Sequence, residues 1–340
     1  MKDEIKYLKS QIQEQYGFES IIGTSESIRE TIRMASRLAP TDESVLITGA
    51  SGTGKELFAR AIHFASPRQN HRFIAVNCGA LPEHLIESEL FGHKKGAFTG
   101  ATSDKVGLIQ EAHRGTIFLD EIAELPQQLQ VKLLRFLQDH KIRAVGGLKE
   151  SQVDVRVVAA TNKVLEDEVA EERFREDLYY RLRVLELRIP PLKERRDDIP
   201  VLVRFFLEKF AKRSGRDAFE VPPKVMARLQ EYDWPGNVRE IENLAKHLVI
   251  MCEDNEVRLD DLPPYLQDSP KRQTGGFLGT GESYSEIRSR VLEDFNQSIL
   301  TEALELEDWN ISRAAERLGT AKSNVIRLMK RFDLSKKEKE

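Results

Sequence analysis

The stretch Gly49-Ala50-Ser51-Gly52-Thr53-Gly54-Lys55 constrains this chain more than any other because of what flanks it. It follows the apolar run Val45-Leu46-Ile47 directly and precedes a helical segment over Glu56–Phe64. Strand, glycine-rich loop and helix in that order are the context a phosphate-binding loop requires. The glycines let backbone N–H groups turn inward around phosphate oxygens, and the helix N-terminus adds a favourable dipole. Lys55 then reaches the β and γ phosphates of ATP. A plain glycine turn at a helix start is the competing account of the same residues, and the flanking strand and helix weigh against it.

The pattern around this loop repeats. Phe73-Ile74-Ala75-Val76, Thr116-Ile117-Phe118-Leu119 and Val155-Arg156-Val157-Val158-Ala159 read, with Val45–Ile47, as buried strands of a parallel sheet. Helical stretches between them predict an α/β domain over residues 18–190, wound by right-handed crossovers. Pro190-Pro191 breaks the alternation, and residues 191–266 read as an all-helical lid lobe. Residues 267–283 hold Pro270, Gly275, Gly276, Gly279 and Gly281 among few apolar side chains, which predicts a flexible linker. Residues 284–340 resume helical periodicity and turn basic. At the other end, Ile5, Leu8 and Ile12 share one face of an amphipathic helix within residues 1–17. That helix either packs on the next domain or forms a stub of coiled coil.

The polar residues with a chemical reading stand at strand ends. Asp120-Glu121 follows Leu119, and an acid at the carboxyl end of a buried parallel strand faces the ligand crevice. Asp120 is placed to hold Mg2+ through water and Glu121 to polarise the attacking water. Glu121 would equally suit a helix start. Thr161-Asn162 ends the next strand, where a polar pair either bonds the γ phosphate or simply caps the strand. Glu56 departs from the general loop pattern, in which Ser or Thr helps hold magnesium.

Three further segments have no part in hydrolysis. In Gly96-Ala97-Phe98-Thr99-Gly100-Ala101, glycines bracket an aromatic and a hydroxyl. Glycine disfavours helix and strand alike, so Phe98 reads as the exposed apolar tip of a flexible loop and not as core. A second protrusion is expected over Asp139–Gly147. Near the C-terminus, Ile299–Leu306, Ile311–Leu318 and Ser323–Phe332 read as three helices, with Gly319 at the tight turn of a helix-turn-helix. Ala314, Ala315 and Leu318 would pack the first helix of the motif on the second. Lys322, Ser323, Asn324, Arg327, Lys330 and Arg331 decorate the second, which fits a major groove. A solvated basic face is the plainer reading of those side chains taken alone.

With a formal net charge of −4, DNA contact has to come from such a local patch, because the surface as a whole does not attract nucleic acid. At 340 residues, 40% hydrophobic and 32% charged, the chain has room for about two domains. No apolar run approaches the roughly 18 residues of a membrane helix, and Met1–Ser10 lacks the apolar core of a signal peptide. Cys78 and Cys252 stand far apart without histidines at ligand spacing, which points to a reducing cytoplasm and away from a metal cluster.

Taken together, Gly49–Lys55, the Glu in place of Ser or Thr at position 56, Asp120-Glu121 and Gly96–Ala101 resemble the sigma-54-dependent transcription activators, the NtrC-like enhancer-binding AAA+ proteins of bacteria. The resemblance covers about residues 18–334 with its motifs in family order. It implies that Gly96, Ala97, Phe98, Thr99, Gly100 and Ala101 contact sigma-54, and that Asp139–Gly147 is a hairpin beside that loop. It implies that Asn77 restrains Glu121, that Thr161-Asn162 senses the γ phosphate, and that Ile22-Gly23 enters beside the adenine. Phe174–Leu182 matches the family's arginine-finger segment, so Arg175 and Arg181 would act on a neighbour's nucleotide in a ring, usually a hexamer. Surface pairing of those arginines with Glu171, Glu172, Glu176 or Asp177 is the alternative. Arg239, in Trp234–Glu240, resembles a second sensor on the lid, or forms an ion pair with Glu240 or Glu242. Trp309–Ala315 resembles the Fis-type domain, which adds Asn310, Ser312 and Arg313 to the DNA-facing set. Family members usually carry an acid at position 94, where this chain has Lys94, and other residues at Asn324, Val325 and Ile326, which leaves the base preference open.

The resemblance implies a cytoplasmic activator that binds double-stranded enhancer DNA and uses ATP and Mg2+ to open the closed complex of sigma-54 RNA polymerase. Residues 1–17 have no room for a receiver or sensing domain, so the expectation is a sequence lacking an N-terminal regulatory domain, with control by a separate inhibitory protein, by expression level, or by a domain outside this sequence. Two rivals use parts of the same sequence: a DNA-binding repressor with a silent ATPase, and an AAA+ remodeller of another protein.

Overall fold

The computed structural model describes residues 16–98, 100–252, 254–267, 300, 304, 307, 309–317 and 322–331. Most of the expected N-terminal helix and of the expected linker, together with Thr99, Leu318, Gly319 and Phe332, lie outside the described residues. The chain forms two compact units, Met1–Asp268 and Ser269–Glu340.

In chain order the strands are β1 (Val45–Thr48), β2 (Phe73–Asn77), β3 (Gly92–His93), β4 (Lys105–Val106), β5 (Thr116–Asp120), β6 (Lys141–Arg143), β7 (Glu150–Gln152), β8 (Arg156–Thr161) and β9 (Leu185–Arg188). The α-helices of the first unit are α1 (Glu26–Leu38), α2 (Lys55–Phe64), α3 (Glu83–Phe91), α4 (Leu108–Glu111), α5 (Gln127–Asp139), α6 (Leu165–Ala170), α7 (Glu176–Leu182), α8 (Ile199–Arg213), α9 (Pro223–Glu231), α10 (Asn237–Met251) and α11 (Pro264–Gln267).

Five strands form one parallel sheet in the order β2-β5-β8-β1-β9. The expected strands are four of these. The fifth, β9, pairs with β1 at an edge, and its alternation Leu185-Glu186-Leu187-Arg188 is that of a half-buried strand. The side chains sort by the two-residue period of a strand. Val45, Ile47, Phe118, Val158 and Ala160 pack on one face with Ile28 and Ala35 of α1 and Phe58 and Ile62 of α2. Leu46, Val76, Ile117, Leu119, Val157 and Ala159 pack on the other with α3, α5 and α7. Burial on both faces is why the central strands are continuously apolar.

Connectivity fixes where a ligand binds. From β1 the chain crosses over β8 and β5 to place β2 at the far edge. A reversal of this kind opens a crevice at the carboxyl ends of the strands. The register then sets Asn77 beside Asp120 and Thr48 beside Thr161.

A buried charge ties α1 to this sheet. Arg156 opens β8 and donates to the carbonyls of Ala39 at 2.7 Å and Leu38 at 2.9 Å, at the C-terminus of α1. A cation there complements the exposed carbonyls and the helix dipole. Burial pushes its pKa down to about 10, so the guanidinium stays charged at neutral pH.

Residues from Leu192 onward form the helical lid, α8–α11, around Leu202, Phe206, Leu229, Trp234, Ile241 and Leu248. Trp234 is buried and satisfies its indole N–H on the Leu229 carbonyl at 2.8 Å. In the second unit α12 (Ile311–Arg317) and α13 (Lys322–Arg331) pack around Leu300, Leu304, Ala314, Ala315 and Val325.

Candidate nucleotide site and loop surface

The glycine-rich loop leaves β1 at Gly49, whose N–H donates to the Thr161 carbonyl at 3.2 Å, and closes at α2. Gly52 has φ +76° and Gly54 φ +100°, backbone that L side chains rarely adopt. Thr53 is buried, and its hydroxyl donates back to the Ala50 carbonyl at 2.8 Å. Lys55 is buried under the loop, donating to the carbonyls of Gly49 at 2.9 Å and Ala50 at 3.2 Å. Burial lowers its pKa, while the negative charges of Asp120 and Glu121 oppose that shift.

These residues border a cavity of about 280 Å3 lined by Ser51, Gly52, Gly54, Lys55, Asn77, Asp120, Glu121, Asn162 and Arg239, among others. Ser51, Gly52, Gly54, Lys55, Asn77, Asp120, Glu121 and Asn162 thus converge, whereas Gly49, Ala50, Thr53 and Thr161 do not line this cavity. Asp120 is held above the usual carboxylate range, chiefly by burial, and its Oδ1 accepts from the Glu121 N–H at 3.0 Å. Glu121 has φ +54°, an uncommon conformation for a non-glycine residue that turns it away from the strand direction. The Asn77 Oδ1 accepts from the Gly79 N–H at 2.8 Å. A Cβ on Gly79 would sit 2.7 Å from Glu121 Oε2, so both side chains lie against the same glycine. Thr161 is buried and uses its hydroxyl to accept from the Lys163 N–H at 3.0 Å. Glu56 is paired with Arg60 of its own helix at 2.7 Å. Glu240 does not pair with Arg239. It accepts from the Gly236 N–H at 2.9 Å.

A second, more apolar cavity of about 530 Å3 shares Gly54 and Val238 with the first. Its walls include Ile21, Ile22, Leu57, Phe58, Leu202, Phe205 and Phe206. Ile22 thus lines the space, and Gly23 beside it leaves room for Asp198, whose Oδ2 a Cβ would approach to 3.0 Å. Asp198 is buried and accepts from the N–H groups of Thr24 at 2.5 Å and Ser25 at 2.7 Å. A polar, cation-floored pocket that shares Gly54 and Val238 with an apolar one suits the chemistry of a nucleoside phosphate. Among the described residues no His, Cys, Asp and Glu cluster forms a metal cage. Mg2+ is usually held by one or two carboxylates and the phosphates themselves, and Asp120 in this cavity meets that need.

Arg175 and Arg181 lie elsewhere. Neither lines the two cavities. Arg175 pairs with Asp177 at 2.7 Å, and Arg181 donates to the Leu137 carbonyl at 2.9 Å. The buried Gln130 amide accepts from the Arg175 N–H at 2.9 Å and so fixes that segment on α5, a contact with no local sequence signal.

The loop Gly96–Ala101 rises from the antiparallel pair β3–β4. Gly96 and Gly100 take φ +79° and +101° in open space, so the turn depends on them. Phe98 is 37% exposed, with one edge of its ring on His93 at 5.0 Å, while Ala101 is buried at the loop's base. Lys94 pairs with Asp104 at 2.6 Å across that base. The expected second protrusion forms as the β6–β7 hairpin and reaches further than Gly147, to Gln152. Leu148 at its tip is 96% exposed. The two protrusions touch: Lys94 N–H donates to the Val145 carbonyl at 3.0 Å, and a Cβ on Gly146 would meet Ala97 at 2.9 Å.

In the second unit Lys322, Ser323, Asn324, Arg327, Lys330 and Arg331 all fall on α13, and Ser312 and Arg313 on α12. Asn310 precedes α12 and its Oδ1 accepts from the Arg313 N–H at 3.3 Å, a helix-start bond. Lys322 and Arg313 are exposed, and Val325 is buried.

No described helix is long and apolar enough to cross a membrane. Three family models match the chain in succession: the sigma-54 interaction domain over residues 21–188, the AAA+ ATPase lid domain over 193–276, and the Fis family of bacterial regulatory proteins over 291–332. The response regulator protein PilR of Pseudomonas aeruginosa is 47% identical over 313 residues, spanning 91% of this chain and 69% of PilR. The regulatory protein AtoC of Escherichia coli is 40% identical over 334 residues, 98% of this chain and 72% of AtoC. The crystal structure of NtrX from Brucella abortus in complex with ATP superposes with a TM-score of 0.71 at 36% identity, covering 97% of this chain and 73% of NtrX. The same protein in complex with ADP gives 0.70 at 36% identity, over 98% and 72%. Parallel sheet, helical lid, loop and helix-turn-helix are thereby accounted for together: the chain belongs to the sigma-54-dependent, NtrC-like family of AAA+ transcription regulators.

Proposed function

We propose that this chain is an ATP-hydrolysing transcription activator of the bacterial cytoplasm. It binds upstream enhancer DNA through α12 and α13, assembles into a ring, and remodels the closed complex of sigma-54 RNA polymerase. The observation that carries this reading is the presence, in one domain, of a cavity lined by Lys55, Asp120 and Glu121 and of a glycine-bracketed loop that presents Phe98. Hydrolysis alone has no use for such a loop.

The phosphate chain of ATP lies over the loop N–H groups and Lys55, which offset its charge. Asp120 would be the carboxylate that helps hold Mg2+, which would supply positive charge to offset that of the phosphates. Glu121 orients and polarises the attacking water, with Asn77 beside it to set when its carboxylate is free. Asn162 and Arg239 face the same space from the sheet and the lid, so loss of the γ phosphate alters both sides of the cavity. Arg175 and Arg181, absent from their own chain's cavity, reach the nucleotide of a neighbour in the ring, a hexamer in our reading. The Phe98 loop, coupled to the Leu148 hairpin by the Lys94–Val145 bond, then moves against sigma-54.

The test is a native-gel shift with purified sigma-54 and the chain trapped by ADP and aluminium fluoride. The wild type forms a trapped complex, and Phe98→Ala and Thr99→Ala lose it while keeping ATPase activity. ATPase without a complex in the wild type would assign the loop to another target. DNA binding without ATPase would make the chain a repressor.

A further inference from the structure

The phosphate loop is shaped from outside, by the lid. Asn237 opens α10 and is buried, with φ +51°, a conformation asparagine tolerates better than most residues. Its side chain works in two directions. Oδ1 accepts from the Leu192 N–H at 2.7 Å, where the chain enters the lid. Nδ2 donates to the Ser51 carbonyl at 2.9 Å, across 186 residues. The next two residues continue the contact, because the N–H groups of Val238 and Arg239 both point at the Gly52 carbonyl, at 3.0 and 3.4 Å. Gly52 has no room for a side chain there, since a Cβ would lie 2.2 Å from the Gly236 carbonyl.

A trans peptide is planar, with its C=O and N–H on opposite sides. Pinning the Ser51 carbonyl toward the lid therefore turns the Gly52 N–H toward the cavity, and pinning the Gly52 carbonyl does the same for the Thr53 N–H. We propose that Asn237 is a positioning residue for phosphate binding: it holds the loop's carbonyls outward so that its N–H groups stand ready for the anion. Asn237 itself lines neither cavity and acts through the loop. Only an amide meets the geometry. Aspartate keeps the acceptor for Leu192 and sets a carboxylate against the Ser51 carbonyl, and leucine offers neither bond.

This assignment rests on the nucleotide reading of the site, and ADP binding to the wild type checks that reading separately. The experiment compares ADP and AMP binding by calorimetry for the full wild-type chain, Asn237→Gly and Asn237→Asp. Glycine takes positive φ freely and removes only the side-chain bonds. Near-UV circular dichroism of the buried Trp234 verifies that the lid is folded, and Asn237→Asp carries the test if the glycine variant is not. ADP is expected to weaken about tenfold to hundredfold, the worth of a well-placed hydrogen bond to a charged group. AMP, which lacks the phosphates that lie over the loop, should change less than twofold. Equal losses for ADP and AMP would assign Asn237 to general lid packing and overturn the proposal, as would ADP binding within twofold of wild type in folded variants. A wild type that binds no ADP would overturn the nucleotide reading beneath it.

Discussion

Replacing Gly52 by alanine tests how tightly the lid is seated on the phosphate loop. The added Cβ would lie 2.2 Å from the Gly236 carbonyl oxygen and 3.2 Å from the Arg239 Cβ. Carbon–oxygen contacts settle at about 3.3 Å, so the carbonyl has to retreat by about 1 Å. Local relaxation is closed off. Trp234 on one side and Asn237 on the other are both buried and hydrogen-bonded, so the start of α10 moves as a body. That movement opens the 3.0 Å bond from Val238 to Gly52 and carries Arg239 away from the cavity. A displacement of about 1 Å in catalytic geometry costs on the order of a hundredfold in rate. The backbone contributes a second, separate cost, because alanine at φ +76° loses about 1–2 kcal/mol. Gly215→Ala isolates that cost, since Gly215 has φ +65° and nothing within 4 Å of its Cβ position. Thermal melts and steady-state ATPase at saturating ATP then separate the two. Gly215→Ala should melt a few degrees lower with full activity, and Gly52→Ala should lose about a hundredfold in kcat. If Gly52→Ala merely melted like Gly215→Ala and kept its kcat within twofold, the lid would not be seated on the loop in the way argued.

Three further outcomes follow from the same contacts. His63 is buried against Thr116, with its Nδ1 at 2.9 Å from the hydroxyl, and burial pushes its pKa down to about 4. The native state thus favours neutral imidazole, so this contribution to stability is complete above pH 6.5 and is lost as pH falls toward 4. Urea titrations across that window should show the wild type losing up to about 3 kcal/mol more than His63→Gln, and parallel pH profiles would exclude the coupling. Asp120 is held above the carboxylate range by burial, so its ionisation costs folding free energy at neutral pH. Asp120→Asn should melt higher than the wild type at pH 7.5 while losing ATPase activity, with the stability gain fading as pH drops through the carboxylate range. A lower melting point at pH 7.5 would contradict the shift. Finally, Arg175→Ala has an intact cavity and Lys55→Ala an intact finger. If fingers act across a ring, mixing the two inactive variants equally should restore about a quarter of the wild-type ATPase rate, and a mixture as inactive as its parts would rule out the trans arrangement.

What the sequence displays about this molecule is what repeats over short distances. Thr116–Leu119 and Val157-Val158-Ala159 advertise buried strands because each residue reports its own face, and the polar residues at their carboxyl ends, Asp120 and Asn162, inherit a position at the crevice. The lid's hold on the loop has no such signature. Asn237 reads as a helix start after Pro235-Gly236, yet its partners are Leu192 and Ser51. Arg195 and Asp198 sit in the charge run Lys193–Asp198, which looks solvated, and both are buried. Arg195 donates to the Thr53 carbonyl at 3.4 Å, and Asp198 gathers Thr24 and Ser25. Leu148 shows the converse, an apolar residue that no core claims and that stands free at a hairpin tip. For Asn237, Arg195 and Asp198 the informative quantity is a pairing between residues far apart in the chain, and hydrophobic periodicity does not encode such pairings. The acids of the phosphate cavity come from the periodic part of the chain, and the contacts that relate that cavity to the lid come from the aperiodic part.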